Sequence, residues 1–94
     1  MARMAKHLLC VGHIALDLIF SVNEFPDHPT KTPAHRHHRG VGGMSGNAAI
    51  ALARLGARVD FCGPVGDDDI AEVFEQVLRR EGVGLSGLRR VPGA

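Results

Sequence analysis

One carboxylate stands inside an apolar run. Asp17 lies between Leu16 and Leu18, just after the apolar stretch Leu8 to Ile14. An ionised carboxylate is costly to bury unless it is paired or close to water, so its position needs a reason. A turn or cap at a sheet edge is one such reason. The other is chemical. Open α/β sheets bind ligands at the carboxyl ends of their central strands, and a carboxylate there can accept two hydrogen bonds from adjacent hydroxyls, which suits a polyol. The second feature is Gly40-Val41-Gly42-Gly43-Met44-Ser45-Gly46-Asn47. Its glycines allow close backbone approach to a ligand, and a helix starting here offers free N–H groups. Asn47, in the first turn, can hydrogen-bond a hydroxyl with its amide. The alternative is a flexible turn with a local Asn cap interaction.

Other clusters point to less. A phosphate-binding P-loop needs Gly-Lys-Ser/Thr at its end, and Gly46 is followed by Asn47. Gly40, Gly42 and Gly46 have a loose dinucleotide-like spacing with Asp60 downstream. The preceding residues, His35 to Arg39, are polar and basic and do not form a buried strand. His28, His35, His37 and His38 find no Cys or well-placed carboxylate to complete a metal site, so they read as solvent-facing. Asp67-Asp68-Asp69 is explained by capping and dipole complementarity at a helix start. Cys10 and Cys62 read as small buried hydrophobes.

These residues need elements to position them. Leu8 to Ile14 suggests a strand buried on both faces, as in a parallel sheet. Leu18 to Val22 continues extended. From Asn23 to Gly40 the chain turns polar, with three prolines and four histidines, and predicts short strands or a functional loop. Met44 to Leu55 predicts a helix, with Ser45 as its cap and Gly56 at its end. Arg58 to Val65 reads as a strand. A second helix follows, capped by Asp67 or Asp68, with Ile70, Val73, Phe74, Val77 and Leu78 on one face and a Glu75–Arg79 pair outside. Gly82 ends it. Leu8–Ile14, the first helix and Val59–Gly63 form a right-handed βαβ crossover. Leu85 to Val91 is short and weakly apolar, so the chain reads as having two core strands and as cut short. That leaves Leu52, Leu55, Phe61 and the Ile70/Phe74/Leu78 stripe partly uncovered.

Size and composition bound the rest. Ninety-four residues allow one domain, too small for a two-domain enzyme that closes on two substrates. A formal net charge of +1 gives no strong field for nucleic acid or anionic membrane. The four aromatics are all Phe, which disfavours base stacking. Two cysteines make no disulfide framework. With neither signal peptide nor membrane span apparent, the expectation is a soluble cytoplasmic protein.

Four blocks stand in order: Val11-Gly12 with Leu16-Asp17; Gly42-Gly43-Met44-Ser45-Gly46-Asn47-Ala48-Ala49; Ala53-Arg54-Leu55-Gly56-Ala57; and Gly63-Pro64-Val65-Gly66-Asp67-Asp68. Together they resemble the amino-terminal part of the ribokinase/PfkB carbohydrate kinases, over nearly the whole chain and with a lean toward ketose-kinase and sulfofructose-kinase-like members. The resemblance implies an α/β fold, a ribokinase-like doubly wound sheet with a small β lid, of which residues 1–94 carry an incomplete amino-terminal βαβα part. It implies transfer of the γ-phosphoryl group of ATP, with Mg2+, to a sugar hydroxyl. Asp17 matches the aspartate that binds sugar hydroxyls, and Gly42, Gly43 and Asn47 match positions lining the same pocket. Residues 18–41 would form lid strands and their loop, with Leu85 to Val91 contributing, and the lid would carry homodimer contacts.

The chain departs from the family pattern. Ala15 stands where several members have a polar sugar ligand, Ser45 replaces Gly or Pro, and Ala71 replaces Gly. The Gly-Ala-Gly-Asp motif that supplies the base and anion hole has no counterpart, and Gly93-Ala94 is a chance dipeptide. The resemblance therefore implies no catalytic, cofactor-binding or metal residue in this chain, no proper ATP or Mg2+ binding by it alone, and no kinase activity of the isolated chain. A non-catalytic sugar-binding or interaction module completed by another chain is the second expectation, and a dinucleotide-binding domain the third.

Overall fold

A computed structural model describes residues 7–93. Seven elements follow in chain order: β1 His7–Val11, β2 Ala15–Ser21, β3 Arg36–Gly42, α1 Met44–Arg54, β4 Arg58–Gly66, α2 Asp69–Arg80 and β5 Gly84–Val91. They make two sheets. β1, β4 and β5 form a parallel sheet in that spatial order, and β2 and β3 form a separate antiparallel pair.

Two parallel connections need two helices, and each helix ends by the same device. Gly56, at φ 93°, donates to the Ala53 carbonyl, while Ala57 donates to Leu52. Gly82, at φ 82°, donates to Arg79, and Val83 donates to Leu78. These are paired C-terminal bonds that satisfy orphan carbonyls and release the chain into the next strand. The two starts differ. Asp68 caps α2 by accepting from the Ala71 N–H at 3.0 Å. α1 starts at Gly43 with no side-chain cap. The expected capping role of Ser45 is corrected: its hydroxyl donates to the Val11 carbonyl at 2.9 Å and ties the helix start to β1.

Both helices cover one face of the parallel sheet. Ala49 of α1 and Leu78 of α2 share a core with Val59, Phe61 and Val83, and Leu8, Cys10 and Leu85 pack against it. A second cluster joins the two sheets: Val65, Ala71 and Phe74 receive Ile14, Leu16 and Val41 from the base of the hairpin.

Several expectations change. β5 is a full eight-residue strand of the parallel sheet, so the core has three strands, and Leu85 to Val91 belongs to it rather than to the lid. The first strand ends at Val11, because Gly12 turns the chain at φ 151°. Phe61, Phe74 and Leu78 are buried, since α1 and α2 close over the same face. Leu55 and Ile70 stay exposed as expected, at 71% and 38%, and the opposite face of the sheet is also uncovered, with Leu9 and Val11 at 60% and 72% exposure. Cys62 also points away from the core, and Glu75 pairs with Arg90 rather than with Arg79.

Candidate functional site

The site is built where β2, β3 and the start of α1 converge. β2 and β3 pair with Ala15 opposite Gly42, Leu16 opposite Val41 and Asp17 opposite Gly40. Alternation then sorts their side chains. Leu16 and Val41 turn inward onto the Phe74 cluster, so Ala15 and Asp17 take the other face, together with Gly40 and Gly42. Asp17 is exposed, which answers the cost of placing a carboxylate in an apolar run. Its carboxyl group lies across Gly42, in the space that a β-carbon on that glycine would need.

The chain then turns into α1 through Gly43, whose φ of 84° and ψ of 151° lie in a region essentially reserved for glycine. A β-carbon there would sit 2.9 Å from both the His13 carbonyl oxygen and the Ile14 Cα. Gly43 therefore lets the start of the helix lie flat against the link between β1 and β2. One turn on, buried Gly46 packs beneath Ile14, and the Asn47 N–H donates to the Gly43 carbonyl at 3.0 Å. Asn47 is exposed. Among the described residues, neither the Asp17 carboxylate nor the Asn47 amide makes a side-chain hydrogen bond.

Asp17, Gly42 and Gly43 are thus contiguous, and Asn47 is held one helical turn from Gly43. Reading the sequence alone missed two supports. Gly12 faces Ser45, whose hydroxyl occupies the place of a Gly12 β-carbon, and Gly63 faces the Gly12 carbonyl oxygen. Glycines in strand-ending positions were the available signal. The arrangement can accept hydrogen bonds at Asp17, offer an amide at Asn47 and bring a small polar ligand close to backbone.

The same geometry speaks against a dinucleotide loop. Such a loop joins a parallel strand to its helix, whereas Gly40 and Gly42 lie in the antiparallel strand β3. Among the described residues no three His, Cys, Asp or Glu side chains gather as metal ligands. Burial pushes the Cys10 thiol up from its ordinary value, with Cys62 adding to the effect.

Residues 5–94 match the pfkB family carbohydrate kinase model. The chain belongs to the pfkB carbohydrate kinase family. It is 32% identical over 83 residues to a nucleoside kinase of Methanothermobacter thermautotrophicus, covering 88% of this chain and 27% of that one. It is 32% identical to ketohexokinase of Mus musculus over 86% of this chain and 27% of that one. In structure it resembles Arabidopsis thaliana ribokinase complexed with ribose and ATP, at a TM-score of 0.79 and 26% identity, covering 96% of this chain and 30% of that one. The fold is the ribokinase fold, and this pfkB-family chain spans less than a third of these relatives' length. No described helix is long and apolar enough to cross a membrane.

Proposed function

We propose that this chain supplies the sugar-binding side of an ATP-dependent carbohydrate kinase that transfers the γ-phosphoryl group to an acceptor hydroxyl. The observation that carries the reading is the exposed Asp17 carboxylate lying over Gly42 beside the Gly43 turn. In this reading Asp17 accepts hydrogen bonds from two acceptor hydroxyls. Gly42 and Gly43 let the sugar ring lie against backbone, and the Asn47 amide donates to a further oxygen. These residues bind and orient; none is the base. ATP with Mg2+, the base and the groups facing the transferring phosphoryl belong to the part of the fold outside this chain. Isolated, the chain binds neither ATP nor Mg2+ properly and has no kinase activity. Residues 18–41 act as a lid over the acceptor and carry homodimer contacts, through the exposed Leu18, Ile19 and Phe20 of β2. The assembled enzyme works in the cytoplasm without nucleic acid or membrane partners.

A hybrid tests this reading: the matched segment of the M. thermautotrophicus nucleoside kinase is exchanged for this chain. Asp17→Asn and Asn47→Ala are expected to raise the acceptor KM about tenfold or more, the cost of a lost hydrogen bond to a charged or polar group, with the KM for ATP unchanged. Unchanged acceptor KM in both variants overturns the assignment.

The second reading is a non-catalytic sugar-binding or interaction module completed by another chain. The uncovered face of the parallel sheet, at Leu9 and Val11, favours it. It predicts sugar binding with no phosphoryl transfer in any assembled complex.

A further inference from the structure

We propose that His38 is a further acceptor-binding residue, meeting the sugar from across a glycine floor that it shares with Asp17. The proposal rests on the reading that Asp17 grips acceptor hydroxyls.

Alternation sorts the hairpin first. Asp17, Gly40 and Gly42 share one face, and His38, two residues before Gly40 on β3 and opposite Ile19, takes that face as well. His37 takes the other face and stacks on Phe20, with 6.1 Å between ring centroids. Two adjacent histidines that look alike in the sequence therefore stand in different surroundings.

The His38 ring does not stand away from its strand. It leans along β3 toward the site, with Nε2 3.6 Å and Cδ2 3.8 Å from where a Gly40 β-carbon would sit. The Asp17 carboxylate occupies the corresponding place over Gly42. Two polar groups thus lean over one bare stretch of backbone, at points about 7 Å apart, two residues of strand rise. No side chain of Gly40 or Gly42 fills the gap between them.

His38 is exposed, and among the described residues its imidazole makes no hydrogen bond. A structural role would show as burial or a bonded partner, and His38 has neither. The chemistry of the pair is complementary. An ionised carboxylate only accepts, whereas an imidazole nitrogen donates or accepts according to its tautomer. A sugar can therefore give hydroxyl protons to Asp17 and meet His38 with an oxygen at its other end. Acceptors without an oxygen at that end are held less well, which makes His38 a determinant of specificity.

The kinase hybrid described above tests this, with D-fructose, D-ribose and adenosine as acceptor probes. His38→Ala should raise KM for the best of the three about three- to tenfold, the range of one lost neutral hydrogen bond. The kcat and the KM for ATP should stay near the parent values, as for a group that only binds the acceptor. His38→Gln, whose amide can also donate or accept, should recover part of the loss. His37→Ala, on the opposite face, should leave acceptor KM unchanged. An unchanged KM in His38→Ala while Asp17→Asn raises it overturns the role of His38 and leaves the kinase reading standing. Equal increases in His37→Ala and His38→Ala, or no recovery in His38→Gln, also overturn it, because a loosened hairpin then explains the effect. A hybrid that phosphorylates none of the three probes overturns the kinase reading and the role of His38 together.

Discussion

The Asp17 carboxylate fills the space above Gly42 that any other residue's β-carbon would take. The two sit on neighbouring strands, two residues off direct register, since Asp17 pairs with Gly40. The glycine's role is to make room, because its φ lies outside the left-handed region. Gly42→Ala should therefore fold and push the carboxyl group aside. In the kinase hybrid the expected result is an acceptor KM raised about tenfold, in the range of a displaced charged hydrogen bond. The KM for ATP and the urea midpoint should stay near their parent values. An unchanged acceptor KM would separate the Asp17–Gly42 contact from substrate binding.

Gly43 is constrained differently. At φ 84° and ψ 151° a side chain is strained, and its β-carbon would also meet fixed backbone at His13 and Ile14. Gly43→Ala should cost about 2–4 kcal/mol, adding backbone strain to an overpacking clash. Gly46→Ala, whose conflict is with the movable Ile14 side chain, should cost less. Urea unfolding of the two variants checks the order, and equal midpoints would count against it.

The starts of the two helices should respond differently to loss of their polar side chains. Asp68→Ala removes a cap and should destabilise by about 1 kcal/mol, with faster amide exchange in the first turn of α2 and at Ala71 in particular. Ser45→Ala removes a tie to β1 rather than a cap. It should leave first-turn exchange in α1 unchanged and speed exchange in β1. Fraying of α1 alone in Ser45→Ala would restore the capping role.

Where side chains pack on one face only, the sequence was informative. The Ile70/Val73/Phe74/Val77/Leu78 stripe announces α2, and Gly56 and Gly82 announce both helix ends. β5 was harder to read for a physical reason. Leu85 and Leu88 serve the covered face, but Gly84 and Gly87 had to be small to lie beneath Asp60 and Cys62, and Arg90 reaches Glu75 and Asp67 on the α2 side. A strand in which four of eight residues are glycine or arginine looks like a loop until its neighbours are known. β3 lies where short strands were expected, but its bounds were not legible, because Arg36, His37, His38 and Arg39 are exposed on both faces and leave no alternation. At the site, Asp17 and the glycine block stood out as chemistry, but the Ser45–Val11 bond joins residues 34 apart and no local pattern marks it.

The two helices are also joined at their carboxyl ends. Arg54, the last residue of α1, donates from Nε to Glu81 Oε2 at 2.7 Å and from Nη2 to Oε1 at 2.5 Å. This two-point pair holds the Glu81 carboxyl below its ordinary value, through the hydrogen bond first and the Arg54 charge as well. A carboxylate whose folded value is depressed stabilises the fold at pH above its unfolded value, and that contribution is lost as pH falls through the folded value. The unfolded chain then binds the proton more readily than the folded one. Glu81→Gln should therefore be the less stable protein at neutral pH, with a shallower loss of stability on acidification than the parent. Carbon-detected titration of the Glu81 carboxyl gives the independent check. Its midpoint should rise toward that of an ordinary glutamate in Arg54→Ala, and a midpoint that stays put or falls would show that Arg54 does not set it.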